Sequence, residues 1–297
     1  MRSKLLKKEH KTYVARHDPA HCLAPGLFRS LQRGERKKLK LDVTYRFEKD
    51  DVTVRFTGFE PLGADDLRVL QGLVAIAGAE GDILPEQPHT DVGKELRALL
   101  EVKGQHEKTK GMAISSSLYG ILQEIGLTYS GANVRALKNN LVRLSNVTVI
   151  VQKGTIQGSF HLLSYAFDEK DGRLWVGLNP QVTQAILGRC KYTHISMDEV
   201  RAIKGDVTRL IHQRLCAIIF PGRERKITMD TLLSYAYCNS EPKTQATVKK
   251  RRQNIRKALE ELVSLGWEVT EYAQGRFEIS RPAKSCVKVK KSQKKMM

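Results

Sequence analysis

The chain has 297 residues, with 51 Lys and Arg against 32 Asp and Glu and a formal net charge of +19. At roughly 150 residues per domain, this length predicts about two domains, and 41% hydrophobic residues exclude global disorder. No apolar run approaches the roughly 18 residues of a membrane helix, and the basic start MRSKLLKKEHK has no apolar stretch after it, which excludes a secretory signal.

The charge excess predicts an acidic partner, nucleic acid or an anionic membrane surface. It is concentrated in residues 1–40, with twelve Lys and Arg against three acids, and in the six lysines of 283–297. The third cluster is Lys249-Lys250-Arg251-Arg252 with Arg256 and Lys257. The five cysteines are scattered and odd in number, so neither a disulfide framework nor a Cys-x-x-Cys zinc module is predicted. A reducing, cytoplasmic setting fits them.

In chain order, residues 1–40 read as a basic arm. DVTYRF (42–47) and VTVRFT (52–57) alternate apolar and polar residues around Glu48–Asp51, which predicts a hairpin. Asp65 and Asp66 open a helix through Ala79 whose wide apolar face makes it a core helix. Residues 80–111 read as loop with a helix near 93–101. Ser115–Ser117 cap a helix bearing Leu118, Ile121, Leu122 and Ile125, and Gly126 ends it. Ser130-Gly131 opens the next, with Leu137, Leu141 and Leu144 on one face. Strands are predicted at 147–153, 159–165 and 173–180, with a short helix through Leu187.

A second series follows. Ser196 caps a short helix, and 206–220 forms a longer one. Thr228 caps a helix bearing Leu232, Leu233 and Ala236, and a loop with Pro242 leads to a helix over 244–265. Gly266 ends that helix, and 267–272 with 276–280 read as a hairpin. Residues 283–297 read as a disordered tail.

The two series match in kind and order. A shift of 118 places Leu137, Leu141 and Leu144 on Ile255, Leu259 and Leu262, and Lys138 on Arg256. Helix, turn, helix, hairpin is the order of a winged helix-turn-helix. The predicted fold is therefore α+β, with two tandem winged-helix domains at 41–190 and 191–282.

The core faces fix what points outward. On the first long helix Arg135, Lys138, Asn139 and Val142 form a strip, with Arg143 near it. On the second, Lys249, Arg252, Gln253 and Arg256 form a strip, flanked by Lys250, Asn254 and Lys257. Arg, Lys, Asn and Gln bond base edges and phosphates, so these strips are candidate DNA-binding faces, and Arg276 at the hairpin tip is a further contact. A basic helix face can also be merely solvated, but the first half of the second helix is almost free of acids, which solubility alone does not require.

No catalytic site is predicted. There is no G-x-x-x-x-G-K-[ST] phosphate loop and no carboxylate cluster for a two-metal nuclease. His17, His21 and Cys22 lack a fourth metal ligand at suitable spacing, so no metal and no cofactor are expected.

The blocks RHDPAHCLAPGLFRSLQRGERKKLKLDVTY (16–45), EPLGADDLRVLQGLVAIAG (60–78), DGRLWVGLNP (171–180), ISMDEVRAI (195–203), LIHQRLC (210–216) and KKRRQNIRKALEELVSLGWEVTEYAQGRFEISRP (249–282) closely resemble the replication initiator protein C (RepC) family of IncQ-type broad-host-range plasmids. The resemblance implies a non-enzymatic initiator that binds directly repeated iterons at a vegetative origin. It implies opening of adjacent A·T-rich DNA, and plasmid-encoded helicase and primase as partners. Two competing readings are a winged-helix transcriptional regulator or autorepressor without origin opening, and a nucleic-acid enzyme with an unrecognised site. Two unlike domains in tandem further predict one monomer per directly repeated, non-palindromic site of about two helical turns, bound without nucleotide.

Overall fold

The computed structural model describes residues 14–283, apart from residues 33, 49, 105 and 239–243. Strand β1 (Val14–His17) and helix α1 (Pro19–Leu23) open it, with Asp18 accepting from Ala20 N as the helix cap. Ala15, His17, Ala20, His21 and Cys22 are buried. This corrects part of the basic arm expected over 1–40: Ala15 to Phe28 is mostly buried, because its apolar and small residues pack under the later helices, while the described residues of 29–40 are half-buried or exposed and residues 1–13 lie outside the described residues. The expected lysine tail and the Pro242 loop lie outside the described residues.

The predicted hairpin is present as β2 (Leu41–Phe47) and β3 (Val52–Gly58). Helix α2 (Ala64–Glu80) is buried around nearly its whole circumference, as its apolar composition requires. Gly72 matters there: a Cβ at this position would stand 2.2 Å from Ile125 Cγ2, so only glycine admits the neighbouring helix so closely. Next come β4 (Asp82–Leu84), α3 (Asp91–Leu99), β5 (Lys103–Gly104) and β6 (Gly111–Ser117). The helix expected near 93–101 is present as α3, and the segment around it, expected to be loop, contributes β4 and β5, with β6 starting at its end.

Helices α4 (Leu118–Glu124) and α5 (Gly131–Ser145) follow, capped by Ser117 and Ser130 as expected. Then come β7 (Thr148–Lys153), β8 (Ile156–His161), β9 (Leu163–Phe167), β10 (Arg173–Leu178) and α6 (Pro180–Ile186). The single strand expected over 159–165 is two strands in two different sheets. Leu162 is the hinge, fully buried, with its N–H donated to Val147 O at 2.8 Å.

The second series is β11 (Thr193–Ser196), α7 (Met197–Ala202), α8 (Asp206–Ile218), β12 (Glu224–Thr228) and α9 (Met229–Tyr237). It ends with α10 (Gln245–Ser264), β13 (Glu268–Ala273) and β14 (Arg276–Ser280). Gly266, at φ 96°, turns the chain from α10 into the hairpin, a conformation only glycine adopts without strain.

The strands form four antiparallel sheets, ordered β1-β11, β4-β6-β10-β9, β12-β14-β13 and β2-β3-β7-β8-β5. The repeat is visible in this pairing. In the first unit β6, α4, α5, β9 and β10 recur as β12, α9, α10, β13 and β14, and both sheets place the last strand between the other two. The hairpin directly after α5, β7–β8, is not the counterpart of β13–β14. It joins β2–β3 in the five-stranded sheet, and the true counterpart is β9–β10. The register of the long helices holds: Leu137, Asn140, Leu141 and Leu144 are the buried positions of α5, and Ile255, Ala258, Leu259 and Leu262, each 118 residues later, are those of α10.

One continuous apolar core runs from Ala15 to Ile279, with a satellite at Leu84, Leu96 and Leu100. The two units are joined by more than this core. Arg201 donates Nε to Glu124 O at 2.8 Å and pairs with the Glu124 carboxylate at 3.1 Å. Arg214 donates to Cys22 O at 3.0 Å, and Ser30 N to Ala236 O at 2.8 Å. No helix among the described residues is long and apolar enough to cross a membrane.

Candidate nucleic-acid interface

Each long helix is set by its buried face. With Leu137, Leu141 and Leu144 fixed in the core, the opposite side of α5 must present Arg135, Lys138, Asn139 and Val142, and all four are exposed. In α10, burial of Ile255, Leu259 and Leu262 turns out Lys249, Lys250, Arg252, Gln253, Arg256 and Lys257, again all exposed.

The cations of these faces differ in how they are held. Lys249, Lys250, Gln253 and Lys257 carry no ion pair among the described residues. Arg252 stands 3.8 Å from Asp230 Oδ1, a loose contact between two exposed side chains. Arg251, half-buried, lies 4.8 Å from the centre of the Tyr237 ring. Asn254 donates Nδ2 to the Tyr237 hydroxyl at 3.0 Å and so belongs to the helix packing rather than the open strip.

Arg256 is fully engaged on one edge. Its Nη1 and Nη2 donate to the two Glu271 oxygens at 2.6 and 2.9 Å, and Glu271 Oε1 also accepts from Gly275 N at 2.8 Å. The Arg256 hydrogen bonds, with the Gly275 N–H, hold the Glu271 carboxyl down at about 2. Lys138, the matching residue of α5, stands 3.3 Å from Glu169 and 4.7 Å from the centre of the Phe167 ring. Arg276 is exposed at the start of β14. The carboxylates that could have paired with it on the hairpin are occupied, Glu271 by Arg256 and Glu278 by Lys226 at 3.7 Å.

Arg143 does not belong to the open face. Its Nε donates to Asp66 Oδ1 at 2.9 Å, and its Nη2 to Asp65 Oδ2 at 3.1 Å and Asn140 Oδ1 at 2.9 Å. Asp66 is fully buried and also binds Arg36 Nη1 at 2.8 Å and Gly63 N at 2.8 Å. Arg36 pairs with Asp65 as well. One step around the helix from Val142, Arg143 faces the start of α2, and a buried carboxylate claims it. Burial and the Asp65 charge push Asp66 up to about 6, against the pull of Arg36 and Arg143.

The polar groups at the centre of the molecule are a separate matter. His17 and His21 are buried, and burial pushes them down to about 3 and about 4, so both are neutral. Among the described residues, Glu199, His212 and Cys216 form a buried cluster with ligand-type atoms within 4.8 Å of one another. Glu199 Oε2 lies 2.6 Å from His212 Nε2. That is hydrogen-bond spacing, tighter than two ligands about 2.0–2.1 Å from a tetrahedral zinc would stand. Burial opposes charge on His212, but the Cys216 sulfur and the Glu199 carboxylate raise it to about 9. Burial would raise Glu199, yet the His212 hydrogen bond and charge hold it below its ordinary value. The pair is a buried hydrogen-bonded brace tying α7 to α8.

Fold and site together define a class: a protein of two joined helix-and-hairpin units, each carrying a cationic helix face in solvent. The chain belongs to the Replication protein C (RepC) family, which it matches over residues 9–283. Its fold is similar to that of domains 2 and 3 of RctB. A crystal structure of their selenomethionine derivative matches with a TM-score of 0.54 at 10% identity, over 89% of this chain and 98% of that one. A second RctB structure, of domains 2–3 (RctB-155-483), gives 0.53 at 11% identity over 88% and 95%. No curated protein matches the chain.

Proposed function

We propose that this chain initiates plasmid replication by binding directly repeated, non-palindromic origin sites through two winged helix-turn-helix units, one monomer to a site. It then opens adjacent A·T-rich DNA so that helicase and primase can load. The element order supports the winged-helix assignment: helix, strand, helix, helix, then two strands, with the last strand central in the sheet, is that motif's arrangement. Membership of a replication protein family supports the origin as the target.

The observation that carries the reading is the α10 strip. Lys249, Lys250, Arg252, Gln253 and Lys257 stand exposed on α10, the third helix of the motif α8-β12-α9-α10, which is the helix that enters the major groove. No acid interrupts α10 before Glu260. Work in this setting needs no nucleotide and no catalytic group, and a cytoplasmic location suits it.

The test is Arg252→Ala with origin DNA. If Arg252 meets a guanine edge, affinity falls by about 1–3 kcal/mol at that site alone. A phosphate contact instead weakens all sequences and reduces the salt slope by about one. Wild-type affinity in folded Arg252→Ala and Lys249→Ala proteins would remove α10 from the interface. Two chains on one palindromic site, by native mass spectrometry, would overturn the monomer arrangement.

A further inference from the structure

A carboxylate on a DNA-facing surface opposes binding, because it adds repulsion from the phosphates to every complex. Both units nevertheless carry one against the outward cation of their long helix. The two cations, Lys138 and Arg256, are 118 residues apart and occupy the same helical position. Their acids, Glu169 and Glu271, both come from the counterpart hairpins β9–β10 and β13–β14. Each cation also lies over a phenylalanine of its hairpin, Phe167 at 4.7 Å and Phe277 at 5.7 Å from the ring centre. The residues differ, Lys in one unit and Arg in the other, while the arrangement recurs.

The second copy is built more tightly. Glu271 is fixed by three hydrogen bonds, two from Arg256 and one from the Gly275 N–H at the hairpin turn. The fork of Arg256 is therefore held in one plane. A guanidinium has five N–H donors, and two are used here, leaving three on a side chain that is 47% exposed. An arginine already held in its plane loses little rotamer freedom when it meets the two acceptors of a guanine edge. The same carboxylate repels the backbone in every register, so complexes lacking that edge contact gain nothing to offset it.

We propose that Glu271 is a positioning residue that aims Arg256 at a base edge, setting sequence discrimination rather than affinity, with Glu169 and Lys138 as a weaker counterpart. This rests on the DNA-binding reading above. Lys138 is a point charge with a single 3.3 Å ion pair in place of a two-pronged fork, so the first unit contributes less discrimination.

The probe is a duplex enriched from a random-sequence library on the wild-type protein, set against a scrambled duplex of equal length at fixed salt. Glu271→Ala binds the scrambled duplex several-fold more tightly, and its selected-to-scrambled ratio falls about tenfold. Arg256→Ala lowers the ratio similarly, and the double variant falls no further than Arg256→Ala alone. Glu271→Gln keeps an acceptor for the Gly275 N–H, so the hairpin survives, and it too lowers the ratio. Glu169→Ala lowers it less than Glu271→Ala. If Glu271→Gln and Glu271→Ala lose thermal stability while the ratio stays within about twofold of wild type, the pair only braces the hairpin and the proposal fails. In that case Arg252→Ala still weakens binding and the DNA reading stands. Enrichment of no sequence by the wild type, with Arg252→Ala also silent, would overturn both.

Discussion

Arg143→Ala separates an arginine held in the packing from the exposed ones of the long helices. The substitution removes three charge-assisted hydrogen bonds, to Asp66 at 2.9 Å, Asp65 at 3.1 Å and Asn140 at 2.9 Å. Breaking a buried pair by deleting one partner costs about 3–5 kcal/mol, because it strands the other charge. Asp66 keeps Arg36 and the Gly63 N–H, both at 2.8 Å, so the stranding is partial and the expected loss is about 2–3 kcal/mol. That corresponds to a fall in Tm of roughly 5–10 °C. The loss depends on pH with a definite sign. Asp66 titrates near 6 in the folded protein, so its charge, and with it the pair, is fully present only above that pH. Urea unfolding at pH 7.5 therefore shows a larger destabilisation than at pH 5, while DNA affinity per folded molecule stays at the wild-type value. A variant with wild-type stability and weakened DNA binding would put Arg143 back on the interface and refute this argument.

Three further outcomes follow from the same packing. Glu199→Gln, which leaves the buried His212 imidazole without its anion, costs about 3–5 kcal/mol near pH 7. Because His212 titrates near 9 rather than 6.5, wild-type stability from this brace is full below about 6.5 and fades as pH rises through 9, and chemical unfolding across pH 6–10 shows that decline in wild type but not in the variant. Leu259→Ala, at a buried position of α10, costs about 2–5 kcal/mol through the cavity it leaves, read by thermal unfolding. Removing residues 1–23 takes β1 from β11 and removes the acceptors of Arg214 and Gln213, so Tm falls; an unchanged Tm would restore the picture of a free basic arm.

Much of the helical scaffold was legible because its signals are local. Ser117, Ser130, Ser196, Thr228 and Thr244 each accept a backbone N–H at a helix start, and four of the five were readable as caps from the sequence. The 3,4-spaced apolar residues of α5 and α10 fixed their faces, so nine of the eleven cations and amides singled out on them stand exposed where their spacing placed them: Arg135, Lys138, Asn139, Lys249, Lys250, Arg252, Gln253, Arg256 and Lys257. Arg143 and Asn254 are the exceptions, since their partners Asp66 and Tyr237 lie 77 and 17 residues away and no local pattern announces them. The short strands β6, β11 and β12 were missed for a related reason. Each runs straight into a helix cap, and GMAISSS, THIS and ERKIT show little apolar alternation. The split between β8 and β9 was hidden because the continuous run SFHLLSY has β propensity throughout and changes sheets only at Leu162. The ion pairs of Lys138 and Arg256 with their hairpins were equally invisible, being set by how each hairpin folds back on its helix.

The central claim, that this protein binds an origin and opens it, is tested most directly by permanganate footprinting on supercoiled origin DNA without nucleotide. An initiator of this kind gives protection over directly repeated sites together with reactive, unpaired thymines in the adjoining A·T-rich segment. Protection with no reactive thymines at any superhelical density would contradict it and leave a DNA-binding regulator in its place.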